Sequence, residues 1–107
     1  MKQVDHYTYR VTWSEEDQEF VGLCAEFSSL SWLDPDRHAA LDGITRLVNE
    51  VLQDMHTSGE PMPEPLTSRK YSGELRVRMP PAIHQRLAIQ AAEEGTSLNA
   101  LIVRRLA

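Results

Sequence analysis

The sequence predicts an α+β chain made of two bodies: an antiparallel sheet with one long helix, then a strand followed by two short helices. Three observations predict it. Aromatic or β-branched residues alternate with Thr and Arg from Tyr7 to Trp13 and a second β-prone run spans Phe20 to Glu26, one apolar stripe at helical spacing follows, and a proline-rich stretch separates these from a second strand-and-helix pattern. The implied boundaries are 1–58 for the first body, 59–72 for a hinge and 73–107 for the second body.

The bulk properties fit this reading. A chain of 107 residues that is 41% hydrophobic and 25% charged is globular rather than disordered or fibrous, and has room for one or two small domains. The apolar runs are only a few residues long and the opening MKQVDHYTYR is polar, so a cytoplasmic protein without membrane span or secretory signal is expected. Cys24 is the single cysteine, which leaves no internal disulfide and no Cys-x-x-Cys pair; it reads as a small buried residue of a strand.

The net charge of −5 is unevenly divided. Residues 1–70 carry six basic side chains against thirteen acids, a net of −7, whereas residues 71–107 carry five arginines against Glu74, Glu93 and Glu94, a net of +2. Such a division suits a polyanion at the C-terminal end and a basic partner at the N-terminal one, although an acidic surface also serves solubility alone.

In the first body, YTYRVTW (Tyr7 to Trp13) reads as a strand and the polar SEEDQE as a turn. The β-prone run Phe20 to Glu26 returns antiparallel, and a third short strand is expected around Leu30 to Leu33. Asp34-Pro35 predicts the start of a helix, since Asp is a favoured N-cap and Pro a favoured first helical residue. Leu41, Ile44, Leu47, Val48, Val51, Leu52 and Met55 then recur on one face up to about His56. Gly59, Pro61, Pro63 and Pro65 exclude a helix interior or central strand from the hinge, and predict a stiff, extended connection between separate bodies.

The last 35 residues carry the clearest functional pattern. Leu75, Val77 and Met79 alternate with Glu74, Arg76 and Arg78, giving a strand with one apolar and one charged face. Pro80-Pro81 ends it and opens a helix with Ile83, Leu87, Ala88 and Ala91 on one side. Gly95 stops that helix, Thr96 and Ser97 cap the next, and Leu98, Leu101, Ile102 and Leu106 form its apolar stripe. So short a segment cannot bury its own apolar faces, because chains below about 40 residues seldom fold unaided. A second copy resolves this: two strands pair into a ribbon, the helices cover Leu75, Val77 and Met79, and Glu74, Arg76 and Arg78 of both chains face outward. A two-stranded ribbon fits the major groove of DNA. The expected dimer core is Leu75, Val77, Met79, Ile83, Leu87, Leu98, Leu101 and Ile102.

The residues ELRVRMPP and AIHQRLAIQAAEEGTSLNALI, with their spacing, resemble a ribbon-helix-helix domain of the Arc/MetJ/CopG kind, over about a third of the chain. The resemblance implies that Glu74, Arg76 and Arg78 read base edges and that backbone amides around Thr96, Ser97 and Asn99 hold a phosphate. The chemistry agrees: arginine donates twice to guanine, glutamate accepts from cytosine, and a helix N-terminus attracts anions. Ser97 and Asn99 equally serve as plain helix-start residues. Taken with YTYRVTWSEEDQEFVGLCAEF, the long helix and the MPEP segment, nearly the whole chain is similar to HicB antitoxins. That similarity implies a partial ribonuclease H-like fold that binds a small basic HicA-type mRNA interferase toxin, and a C-terminal domain that represses the operon. It departs from the family at Leu33, Asp34 and Pro35, where a Gly and a Thr often lead into the long helix.

Two other functions compete. A ribonuclease H-like outline suggests metal-dependent hydrolysis by Glu15, Asp17, Glu26, Asp34 and Asp36, but the first two sit in a turn and Asp34 reads as a cap, whereas two-metal chemistry needs acids converging on one cleft. No enzyme is therefore expected. A ligand-sensing repressor would use a metal or a pocket near Trp13 and Trp32, yet His6, His38, His56 and His84 lack ligand spacing and aromatic residues on short strands are more often core. No metal or cofactor is expected, and the expected partners are toxin, operator DNA and a second copy.

Overall fold

The first strand, β1 (Tyr9–Ser14), turns back into β2 (Glu19–Cys24) through four residues whose last, Gln18, takes the left-handed conformation at φ 54°. Gln18 helps to hold that turn itself, its Nε2 donating to the Glu15 carbonyl at 2.7 Å, while Ser14 Oγ donates to Asp17 at 2.8 Å. The register pairs Trp13 with Phe20, Val11 with Gly22 and Tyr9 with Cys24. A short 3-10 turn at Ala25–Phe27 then leads to β3 (Ser31–Asp34), which pairs antiparallel with β2 to give the sheet order β1-β2-β3. The structure, a computed structural model, describes residues 3–107. The chain divides into two compact units, Met1–Tyr71 and Ser72–Ala107.

A 22-residue helix, α1 (Arg37–Ser58), lies across the sheet. Its N-cap is Asp36 rather than the expected Asp34: Asp36 accepts from the Ala39 amide at 2.9 Å, while Asp34 ends β3 and accepts from the Asp36 amide at 2.8 Å. Pairing of Asp34 with Phe20 keeps it in the sheet and moves the helix start two residues on. At the other end Gly59, at φ 76°, turns the chain in the left-handed conformation, with Gly59 and Glu60 amides returning to the carbonyls of His56 and Met55.

The apolar stripe of α1 meets one sheet face. Ile44, Val48 and Leu52 join Val4, Tyr7 and Cys24 in the buried cluster, with Tyr9, Phe27, Leu30 and Leu47 packed against it. Cys24 is a free, buried thiol of β2, and burial pushes its pKa up. Two arginines of α1 rest on sheet aromatics, Arg37 on Phe20 and Arg46 on Trp32, at 5.2 and 5.9 Å from the ring centres.

Residues 60–71, expected to be hinge, belong to the first unit. Pro65 is buried, and side chains and backbone of the N-terminal turns hold the segment at Pro63, Leu66 and Thr67. Among the described residues no helix is long and apolar enough to cross a membrane.

Candidate nucleic-acid interface

The C-terminal unit is built around two helices that contact each other, α2 (Pro81–Glu93) and α3 (Leu98–Leu106). Pro81 occupies the first helical position, where its missing N–H costs nothing, and the Pro80 carbonyl accepts from the amides of Ile83 and His84. The glycine stop lies where the sequence puts it. Gly95, at φ 68°, ends α2 with amide returns from Thr96 to Ala91 and from Gly95 to Ala92, a pairing that satisfies the last carbonyls of a helix. Ser97 then caps α3, its Oγ accepting from the Ala100 amide at 3.0 Å. The first amides of α3 have no acceptor within the helix, so Thr96, Ser97 and Asn99 surround a patch of positive dipole.

Ahead of α2, residues 74–79 form no strand in the single chain, in contrast to the sequence expectation. A strand needs a neighbour to take its N–H and C=O groups, and none of the described residues pairs with this segment. Glu74, Arg76 and Arg78 are exposed, and so are the alternating Leu75 and Val77, at 83% and 62% of their accessible surface. Of the eight residues expected to form a core, only Leu101 is buried; Met79, Leu87, Leu98 and Ile102 are half-buried, and Ile83 is 37% exposed.

One polar cluster went unremarked in the sequence. Glu94 accepts from Gln90 at 2.8 Å and from Arg104, and Arg105 donates to Gln90, so the end of α2 is tied to the end of α3. Hydrogen bonds from Gln90 and then Arg104 hold the Glu94 carboxyl below its ordinary range. The spacing of Gln90 and Glu94 on one helix was a legible signal for the first half of this cluster; the arginines come from a different helix.

On the N-terminal unit the carboxylates considered for metal chemistry have structural partners. Glu15 takes the Trp13 indole N–H at 2.7 Å, Asp17 takes Ser14, Asp34 and Asp36 shape the start of α1, and Glu26 binds the Thr8 and Leu66 amides. Burial raises the Glu26 pKa, but the hydrogen bonds from Thr8, Leu66 and its own backbone outweigh this and leave it below the ordinary value. An open groove of about 570 Å³ is lined by Gln3, Val4, Asn49, Leu52, His56 and Met62 among others. Trp13 and Trp32 lie elsewhere, Trp13 edge-on to Phe20 and Trp32 beside α1.

With that geometry in view, residues 56–106 match the model of the HicB family, a HicB-type likeness that takes in the end of α1, the proline-rich segment and both helices of the C-terminal unit. No curated protein and no solved structure matches the chain.

Proposed function

We propose that the chain is an antitoxin whose C-terminal unit dimerises as a ribbon-helix-helix and represses its own operon, and whose N-terminal unit binds and neutralises a HicA-like toxin. The observation that carries the reading is the exposure of Leu75 and Val77, at 83% and 62%, in a segment where they alternate with Glu74, Arg76 and Arg78. Exposed branched side chains at alternate positions are a strand face awaiting a partner strand. A second copy supplies the ladder, buries the apolar face on the helices and turns Arg76, Arg78 and Glu74 outward to base edges. The helix start at Ser97 provides amides for a backbone phosphate. The HicB match over residues 56–106 supports the toxin–antitoxin setting, and the acidic N-terminal half suits a basic protein. In this reading the protein has no catalytic role and needs no metal or cofactor.

The test has two arms. Arg76→Ala and Arg78→Ala should each weaken operator binding by about 1–3 kcal/mol per lost base contact while leaving toxin neutralisation intact. Native protein should co-purify with a small basic protein encoded beside it. Normal operator binding by both variants removes the base-reading role, and a bound metabolite or metal in place of the protein partner favours a ligand-sensing repressor.

A further inference from the structure

Proline content alone suggests a stiff, extended connection between separate bodies, yet the segment is tied to the N-terminal unit at Pro63, Leu66 and Thr67. The Pro63 carbonyl accepts from Tyr7 Oη at 2.7 Å and from Gln3 Nε2 at 2.9 Å. Three residues on, the Leu66 amide donates to Glu26 Oε2 at 2.9 Å, and Thr67 Oγ1 donates to the His6 carbonyl at 2.8 Å. Pro65, between these anchors, is buried, and Tyr71 Oη folds back onto the Leu66 carbonyl at 3.0 Å.

Glu26 is the centre of this arrangement. Its Oε1 takes the Thr8 amide at 2.9 Å and the Cys24 thiol at 3.6 Å, and its Oε2 takes the Thr8 hydroxyl at 3.1 Å as well as the Leu66 amide. One half-buried carboxylate thus ties the approach to β1, the end of β2 and the proline-rich segment together. Of the amides on this carboxylate, the half-buried one is that of Leu66, and leaving it without its acceptor is costly.

We propose that residues 60–71 are a strap latched to the N-terminal unit by Glu26, and that the latch sets the length of free chain leading to the C-terminal unit. Latched, the segment belongs to the N-terminal unit as far as Tyr71. Released, the strap adds twelve residues, which at roughly 3.1 Å per residue of extended proline-rich chain is roughly 37 Å of further reach. Reach determines which pairs of binding sites one chain can occupy at once and at what effective concentration. The strap is therefore a device that matches the spacing of two bound partners, whatever those partners are.

The test uses the full chain. In Glu26→Ala, exchange of the Leu66 amide, and of the Ser68 and Arg69 amides that return to the Pro65 carbonyl, should accelerate by about tenfold or more while Ile44 and Val48 in α1 exchange as before, and small-angle scattering should show a larger maximum dimension. Unchanged strap exchange overturns the proposal, and so does faster exchange with no increase in dimension, since the latch would then be local. Should α1 also lose protection, Tyr7→Phe decides: it removes one anchor at Pro63 and keeps the aromatic core. Faster strap exchange and a larger dimension with α1 intact support the strap, and any other result for that variant sinks it.

Discussion

The ring of Trp32 lies so close to the backbone of Gly43 that a Cβ at position 43 would come within 2.1 Å of its Cδ1 and Nε1 atoms. Glycine in mid-helix costs about 1 kcal/mol relative to alanine, so α1 gives up helix propensity to seat an indole against its backbone. Gly43→Ala should therefore lower stability by about 1 kcal/mol despite alanine's helical advantage, because the half-exposed ring must swing away and lose its packing with Arg46. The sign should reverse once the ring is gone: in a Trp32→Ala background, Gly43→Ala should stabilise by about 0.5–1 kcal/mol. Denaturant unfolding of the four proteins of this cycle checks it, and additive effects would dismiss the coupling.

Gly22 of β2 offers a contrasting case. A Cβ there would meet the Ala40 carbonyl at 2.7 Å and Ile44 Cγ2 at 2.8 Å, a backbone atom and a fully buried side chain. Neither can move without lifting α1 from the sheet. Gly22→Ala should cost about 2–3 kcal/mol, more than Gly43→Ala, with no rescue by truncating an exposed neighbour. A smaller loss than at Gly43, by thermal or denaturant unfolding, would contradict the close approach of helix and strand.

Glu26 should make the strap sensitive to acid. Burial acts to raise its pKa, the hydrogen bonds from Thr8 and Leu66 act to lower it and prevail, and the folded value lies below the ordinary 4.5. A carboxylate depressed on folding contributes stability that is complete above the unfolded value and is lost as pH falls through the folded one. The titratable groups that feel its charge, the Cys24 thiol and the Tyr7 and Tyr9 phenols, have raised pKa values and stay neutral in this range. The NMR signal of the Leu66 amide should thus titrate with a midpoint below 4.5 and lose that transition in Glu26→Gln. A midpoint at or above 4.5 contradicts the direction.

How far the sequence speaks depends on how local the cause is. The β1–β2 hairpin, the apolar face of α1, the stop at Gly95 and the cap at Ser97 all arise from neighbours within a few residues, and their patterns are plain in the chain. Asp34 and Asp36 flank one proline and both satisfy a capping pattern; what separates them is the pairing of Asp34 with Phe20, fourteen positions away. The strap was less legible still. Prolines say that residues 60–71 are neither helix nor central strand, but its anchors Glu26 and Leu66 are 40 residues apart and no local rule joins them. For the candidate interface the pattern of Leu75, Val77 and Met79 is clear, while the ladder it predicts requires groups that none of the described residues supplies.

That last gap yields the sharpest test of the dimer. If Leu75 and Val77 face the helices of a second copy, replacing either with glutamate would bury a charge in an apolar layer without a partner, at a cost of several kcal/mol per chain. Both side chains are exposed in the single chain, at 83% and 62%, so the same substitutions should be nearly neutral for the N-terminal unit. Val77→Glu should therefore sediment as a monomer where the unaltered chain sediments as a dimer, lose operator binding altogether rather than by the fraction expected for one arginine, and keep the exchange protection of Ile44 and Val48. Arg76→Ala, by contrast, should remain dimeric. A Val77→Glu chain that stays dimeric and binds DNA would place Val77 on the outer face of whatever the C-terminal unit forms, and the alternation of apolar and charged residues from Glu74 to Met79 would have to be read the other way round.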